Sequence, residues 1–201
     1  MTHVVERTYT RELDAGRAAV LWNYWDHEHL VVVHSNYTDA KIIYENDFMA
    51  ALLLTYRLPV FSFLKSHSLN VMIQHSPDVI KAVNVGLFGV PVLTTIRIEE
   101  DRHDHCRITM NYRFFLMGWK RILAPLLSFM IPKWNEQVWQ EDLPLKLRRH
   151  KMLRLGFKDF YGLPSNIADR VFDDELTFTK LPLSRLKEVN VNALKKFTFE
   201  D

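Results

Sequence analysis

Between residues 40 and 116 the chain reads as one β-rich segment after another, with no stretch between them long enough for a helix. The segments are 41–46, 48–57, 60–64, 68–75, 78–86, 90–99 and 105–116, separated by short polar or Gly/Pro breaks. Strands recurring at roughly ten-residue spacing with such breaks predict antiparallel meanders and exclude alternating strand–helix–strand units. The charged run Glu99-Glu-Asp-Arg-His-Asp-His is the clearest turn, the tip between the last two strands.

Two further stretches complete the pattern. Residues 3–13 alternate and read as a first strand. Asp14-Ala-Gly then precedes a helix that carries Val20, Trp22, Tyr24 and Trp25 and runs to about His29, with Asn36-Tyr-Thr-Asp as the turn that ends it. After Gly118 the period becomes helical, with breaks expected at Pro125, Pro132 and Pro144. Trp134, Val138, Asp142 and Leu145 share one helix face, so Asp142 lies on an apolar stripe. The expected fold is α+β: a curved antiparallel sheet gripping a long C-terminal helix, with an apolar cavity in the gap between them. Residues 1–156 form the ligand-binding or catalytic domain, and 157–201 form an appendage without a periodic core.

Composition narrows the function. A formal charge of +2 argues against a nucleic-acid partner. The single cysteine, Cys106, excludes an internal disulfide and suits the cytoplasm. The N-terminus is polar and reads as a strand, not as a signal peptide. The most apolar stretch, Phe114 to Trp134, holds Lys120, Arg121 and two prolines, which predicts a covering helix with at most peripheral membrane contact. No glycine-rich phosphate loop is present, so no nucleotide cofactor is expected.

The chain resembles the START-like, or helix-grip, superfamily over roughly residues 3–155. The residues that carry the resemblance are Leu21-Trp-Asn-Tyr-Trp-Asp-His-Glu-His-Leu, Gly86-Leu-Phe-Gly and Trp134-Asn-Glu-Gln-Val-Trp-Gln-Glu-Asp-Leu. Within it, the spacing Asp26-x2-His29-x4-His34 looks like the mononuclear iron motif of Rieske oxygenase catalytic domains. The resemblance implies Fe(II) held by His29, His34 and a carboxylate of the last helix, with Asp26 orienting a histidine. Glu141-Asp142 stands in that region, and Asp142 sits on the inward stripe. Two imidazoles and one carboxylate leave coordination positions open for substrate, water or dioxygen. With one cysteine the chain cannot build a Rieske cluster, so electrons for an oxygenase would come from a separate donor protein or from the substrate. Relatives of this type also suggest a homo-oligomer.

Other residues carry weaker signals. His67 and His75 flank a strand and are candidates to reach the cavity as acid/base groups. His103-Asp-His105-Cys106 reads as a solvated hairpin tip. Within the basic run Lys146-Leu-Arg-Arg-His-Lys, the residues Arg148, Arg149, His150 and Lys151 read as an exposed, solvated helix face. Besides a scaffold or membrane-adaptor domain using Phe114–Trp134 and the basic run, two functions stay open. One is a metal-dependent enzyme acting on an aromatic, polyketide or terpenoid-like substrate. The other is a metal-free hydrophobic-ligand carrier or cyclase, in which His29 caps a helix and His34 faces solvent.

Overall fold

A computed structural model describes residues 2–155 apart from 28, 47, 59–62 and 103. Seven strands form one antiparallel sheet: β1 (His3–Leu13), β2 (Tyr37–Glu45), β3 (Met49–Arg57), β4 (Lys65–Ser76), β5 (Val79–Val85), β6 (Pro91–Arg102) and β7 (His105–Leu116). Their order is β1-β7-β6-β5-β4-β3-β2. The six segments after β1 are thus a plain meander, and β1 closes on β7 through an eleven-residue register from His3–Leu116 to Leu13–Cys106. Register shifts at Tyr37/Asp39, Ile42/Tyr44, Gln74/Ser76 and Glu100/Arg102 add local bend, and the sheet is curved.

Side-chain alternation decides which residues face the core. On β3 it buries Ala50, Leu52, Leu54 and Tyr56, on β6 Ile96 and Ile98, and on β7 Cys106, Ile108, Met110 and Phe114. Each Leu or Ile taken from water contributes about 1.5–3 kcal/mol, so a one-residue slip of register would expose the whole set. The concave face is covered by α1 (Arg17–Trp25), α2 (His29–Val33) and the long α3 (Ala124–Arg154). Trp139 of α3 packs into the central core with Leu52, Met72, Ile80 and Ile108.

Three local expectations are corrected, and a fourth is covered only in part. The first helix is two: α1 ends at Asp26, whose N–H bonds Trp22 O at 2.9 Å, and α2 restarts at His29. Asn36-Tyr-Thr-Asp is not only a turn, because β2 begins at Tyr37 and pairs with Tyr56. Of the strand expected over 60–64, residues 60–62 lie outside the described residues and Phe63 sits in a turn. Finally, α3 runs without interruption through Pro132 and Pro144, while Pro125 occupies its first turn. Both internal prolines sit on the exposed side, where water can satisfy the carbonyls they leave unbonded, and the packed inward stripe carries the helix through. The appendage expected at 157–201 lies outside the described residues.

Candidate functional site

The break between α1 and α2 aims two histidines at α3. His29 opens α2 and His34 follows its last residue, with the His34 N–H bonded to Leu30 O at 3.2 Å. Both are buried, and both face Asp142, itself buried on the inward stripe of α3. His29 Nε2 lies 3.3 Å and His34 Nε2 3.2 Å from one atom, Asp142 Oδ1. One ligand atom from each of the three residues lies within 4.8 Å of the others. The expectation of a solvated His34 does not match this burial, whereas His29 does cap a helix, its ring bonding the backbone oxygen of Asp26, the residue that ends α1.

The far nitrogens of both rings are already engaged. His29 Nδ1 donates to the backbone oxygen of Asp26, with the Asp26 carboxylate 3.9 Å away. His34 Nδ1 donates to Glu141 Oε2 at 3.0 Å. Glu141 is held in turn by the Ser35 hydroxyl and, at 3.1 Å, by the Gln137 amide. Because oxygens accept on the Nδ1 side, each neutral ring carries its proton there and turns a lone pair on Nε2 toward Asp142. Two nitrogen lone pairs and a carboxylate oxygen at 3.2–3.3 Å repel unless positive charge lies among them. A proton on a ring or a bound cation would supply it. These distances are those of an ion pair, yet the buried Asp142 Oδ1 makes no hydrogen bond of acceptable geometry. The two nitrogen–oxygen separations, 3.2 and 3.3 Å, fall in the range that a cation bound at about 2.1 Å imposes on adjacent ligands, and all three atoms lie within 4.8 Å of one another. The three residues fit a divalent metal.

Charge around the three is balanced by two buried cations of the basic run, of which Arg149 was expected to be solvated. Lys146 is 1% exposed, places Nζ 2.6 Å from Asp142 Oδ2, and lies 5.2 Å and 5.4 Å from the rings of Tyr24 and Trp139. Arg149 pairs with Asp26, bonds Asn23 Oδ1 at 2.9 Å and stacks over Trp22. The exposed-face expectation for 148–151 is therefore wrong at Arg149. The residue four after a helical Asp shares its face, and that spacing was the available signal for Lys146. Burial alone would raise the Asp142 pKa, but the two imidazoles and Lys146 hold the carboxyl well below its usual range. Burial opposes charge on His34, and Asp142 and Glu141 outweigh it, so its pKa is raised. His27, which sequence reasoning did not single out, lines the cavity; burial and the neighbouring His29 lower its pKa to about 4.

The three residues close one end of a cavity of about 250 Å³. Its walls are mostly apolar, including Leu54, Met72, Ile96, Phe114, Leu127 and Trp134. The polar exceptions include Asn70, Asn84, Thr94 and Asn135, and Asn135 donates to the Tyr112 hydroxyl at 3.2 Å. His67 and His75 do not reach it. Both are exposed on the outer face of β4, bonded to Thr55 Oγ1 at 3.0 Å and close to Lys81 Nζ at 3.3 Å respectively. Their odd positions on β4 place them opposite the inward Ser66, Ser68, Met72 and Gln74. Cys106 is buried as expected, and His105 bonds Asp14 at 2.8 Å at the hairpin end.

The architecture has solved counterparts. The Zhui aromatase/cyclase from Streptomyces sp. R1128 superposes with a TM-score of 0.60 at 12% identity, covering 77% of this chain and 99% of that one. The fold is the START-like helix grip. A START superfamily protein from Mycobacterium smegmatis gives a TM-score of 0.58 at 12% identity, over 73% of this chain and 98% of that one. A norcoclaurine synthase point mutant from Thalictrum flavum, solved with a transition-state analogue, gives 0.56 at 15% identity, over 74% and 97%. No protein-family model matches the sequence, and no curated protein matches it significantly. At these identities the likeness carries the helix-grip fold and not the chemistry.

Proposed function

We propose that this helix-grip protein is an enzyme that acts on a hydrophobic small molecule beside a divalent metal, Fe(II) being the favoured ion. His29 Nε2, His34 Nε2 and Asp142 Oδ1 would hold it. The observation that carries the reading is the convergence of these three buried atoms, with both Nδ1 protons already committed elsewhere. When bound, an ion with three protein ligands supplies open coordination positions for Lewis-acid or one-electron chemistry. The chain's own residues do the rest. Asp26 and Glu141 fix the tautomer and tilt of the rings. Lys146 occupies Asp142 Oδ2 and so offers Oδ1 alone to the site. The apolar walls orient a substrate by shape and exclude water, and Asn135 and Tyr112 supply polar contacts about two helical turns from Asp142. An oxidative reaction would draw electrons from a separate donor or the substrate.

A second reading is a metal-free cyclase or carrier, favoured by the fold's likeness to the Zhui aromatase/cyclase. There His34, whose pKa is raised, would serve as the acid/base group, with the buried Asp142 carboxylate favouring its charged form. Metal analysis of protein purified without a chelating tag separates the two. The metal reading expects about one equivalent of iron or another divalent ion after reconstitution, bound much more weakly by His29→Ala, His34→Ala and Asp142→Ala. Wild-type protein that takes up no more metal than these variants would leave the cyclase reading.

A further inference from the structure

The end of the molecule away from Asp142 carries an unusual surface. A short 3-10 segment, Gly118–Leu123, leads into α3, and another, Leu87–Gly89, joins β5 to β6. Lys120 ties them together through a 2.8 Å bond to Gly89 O, and the rings of Phe88 and Trp119 meet edge to face. Trp119 is 67% and Ile122 77% exposed, and Phe88, Met117 and Phe129 are each at least half exposed. Behind them, Leu127, Met130, Ile131 and Trp134 line the cavity. The stretch Ile122–Ile131 contains no charge and one hydroxyl, Ser128. Its inner face is used by the cavity, so its outer face calls for a second apolar medium.

Charge indicates which medium. Residues 113–135 hold Arg113, Lys120, Arg121 and Lys133 and no Asp or Glu, and residues 79–98 hold no acid either. Lys133 lies 4.1 Å from the Phe129 ring, so cation and apolar tip share one face. A tryptophan and aliphatic tip within a basic collar matches the boundary of an anionic bilayer, where aromatic rings sit at headgroup depth and cations meet lipid phosphates. Among the described residues no helix is long and apolar enough to cross a membrane, so the contact is peripheral. We infer that this end is a lipid-docking surface that seats on an anionic bilayer and loads the cavity with hydrophobic molecules dissolved there. Leu127 and Asp142 are fifteen residues apart on α3, about 22 Å, so docking and reaction ends are separate. The inference holds whether or not a metal fills the far end.

Flotation of the full-length chain with phosphatidylcholine vesicles, with and without phosphatidylglycerol, tests it. Wild-type protein is expected to float with the anionic vesicles and to be released severalfold by high salt. Trp119→Ser/Ile122→Ser should weaken binding at least about tenfold. Protein that stays unbound, or a variant that floats as well as wild type, overturns the inference. So does an oligomer, seen by ultracentrifugation, that the same variant dissociates while neither form floats, since the patch then joins two copies. Should the double variant misfold, quenching by brominated lipids decides. Greater quenching in wild type than in Trp119→Phe supports docking, and equal quenching refutes it.

Discussion

Replacing Lys146 with methionine keeps most of the side chain's volume and removes its charge. In metal-free protein the change leaves Asp142 Oδ2 without the ammonium that now lies 2.6 Å away, in a site where Lys146 is 1% exposed. Breaking a buried pair from one side costs about 3–5 kcal/mol. Asp142 keeps two imidazoles within 3.3 Å, and His34, whose pKa is raised, can carry a compensating proton. The lower end, about 3 kcal/mol, is therefore expected, equivalent to a fall in Tm of about 6–12 °C for a domain of this size. Thermal unfolding in chelator, followed by circular dichroism, measures it. Added Co(II) or Zn(II) should then narrow the gap, because a cation on Oδ1 takes over neutralisation of Asp142. The double variant Asp142→Leu/Lys146→Met should recover much of the loss, since it removes both charges together. A Lys146→Met protein as stable as wild type in chelator, or a gap that metal leaves unchanged, would refute this reasoning.

Other consequences are simpler to read. Burial, with a smaller contribution from Glu100, raises the Cys106 pKa to about 12, so its thiolate is scarce at pH 8. The native thiol should resist Ellman's reagent and react promptly in denaturant; equal rates would contradict the burial. A Cβ on Gly86 would fall 2.7 Å from Tyr56 Oη and 2.8 Å from Ser68 Cβ, so Gly86→Ala should cost about 1–3 kcal/mol by denaturant titration. An unchanged midpoint would show that β4 can yield there. His67→Ala and His75→Ala lie on the exposed face of β4 and should change stability by less than about 0.5 kcal/mol and leave metal uptake intact.

The sheet was legible because half-buried strands write their alternation into the sequence, as Ala50, Leu52, Leu54 and Tyr56 do on β3. The Asp26, His29 and His34 spacing was legible too, since a short turn of helix brings those positions to one side. Asp142 could be placed from helical periodicity alone. Lys146 and Arg149 were hidden because their neighbours Arg148 and Lys151 are hydrophilic and exposed, and only the packing of α1 against α3 covers them. The prolines of α3 misled for the converse reason: a local rule about hydrogen bonds was outweighed by long-range packing along the inward stripe. His67 and His75 failed because a strand offers two faces, and an alternating polar run such as Ser66 to His75 does not say which one is inward.

X-ray absorption of the metal-loaded protein tests the central claim most directly. The account predicts a first shell of nitrogen and oxygen at about 2.0–2.2 Å, with outer-shell scattering from two imidazoles in wild type and from one in His34→Ala. A metal with no imidazole signature, or a wild-type spectrum that His34→Ala leaves unchanged, would contradict it.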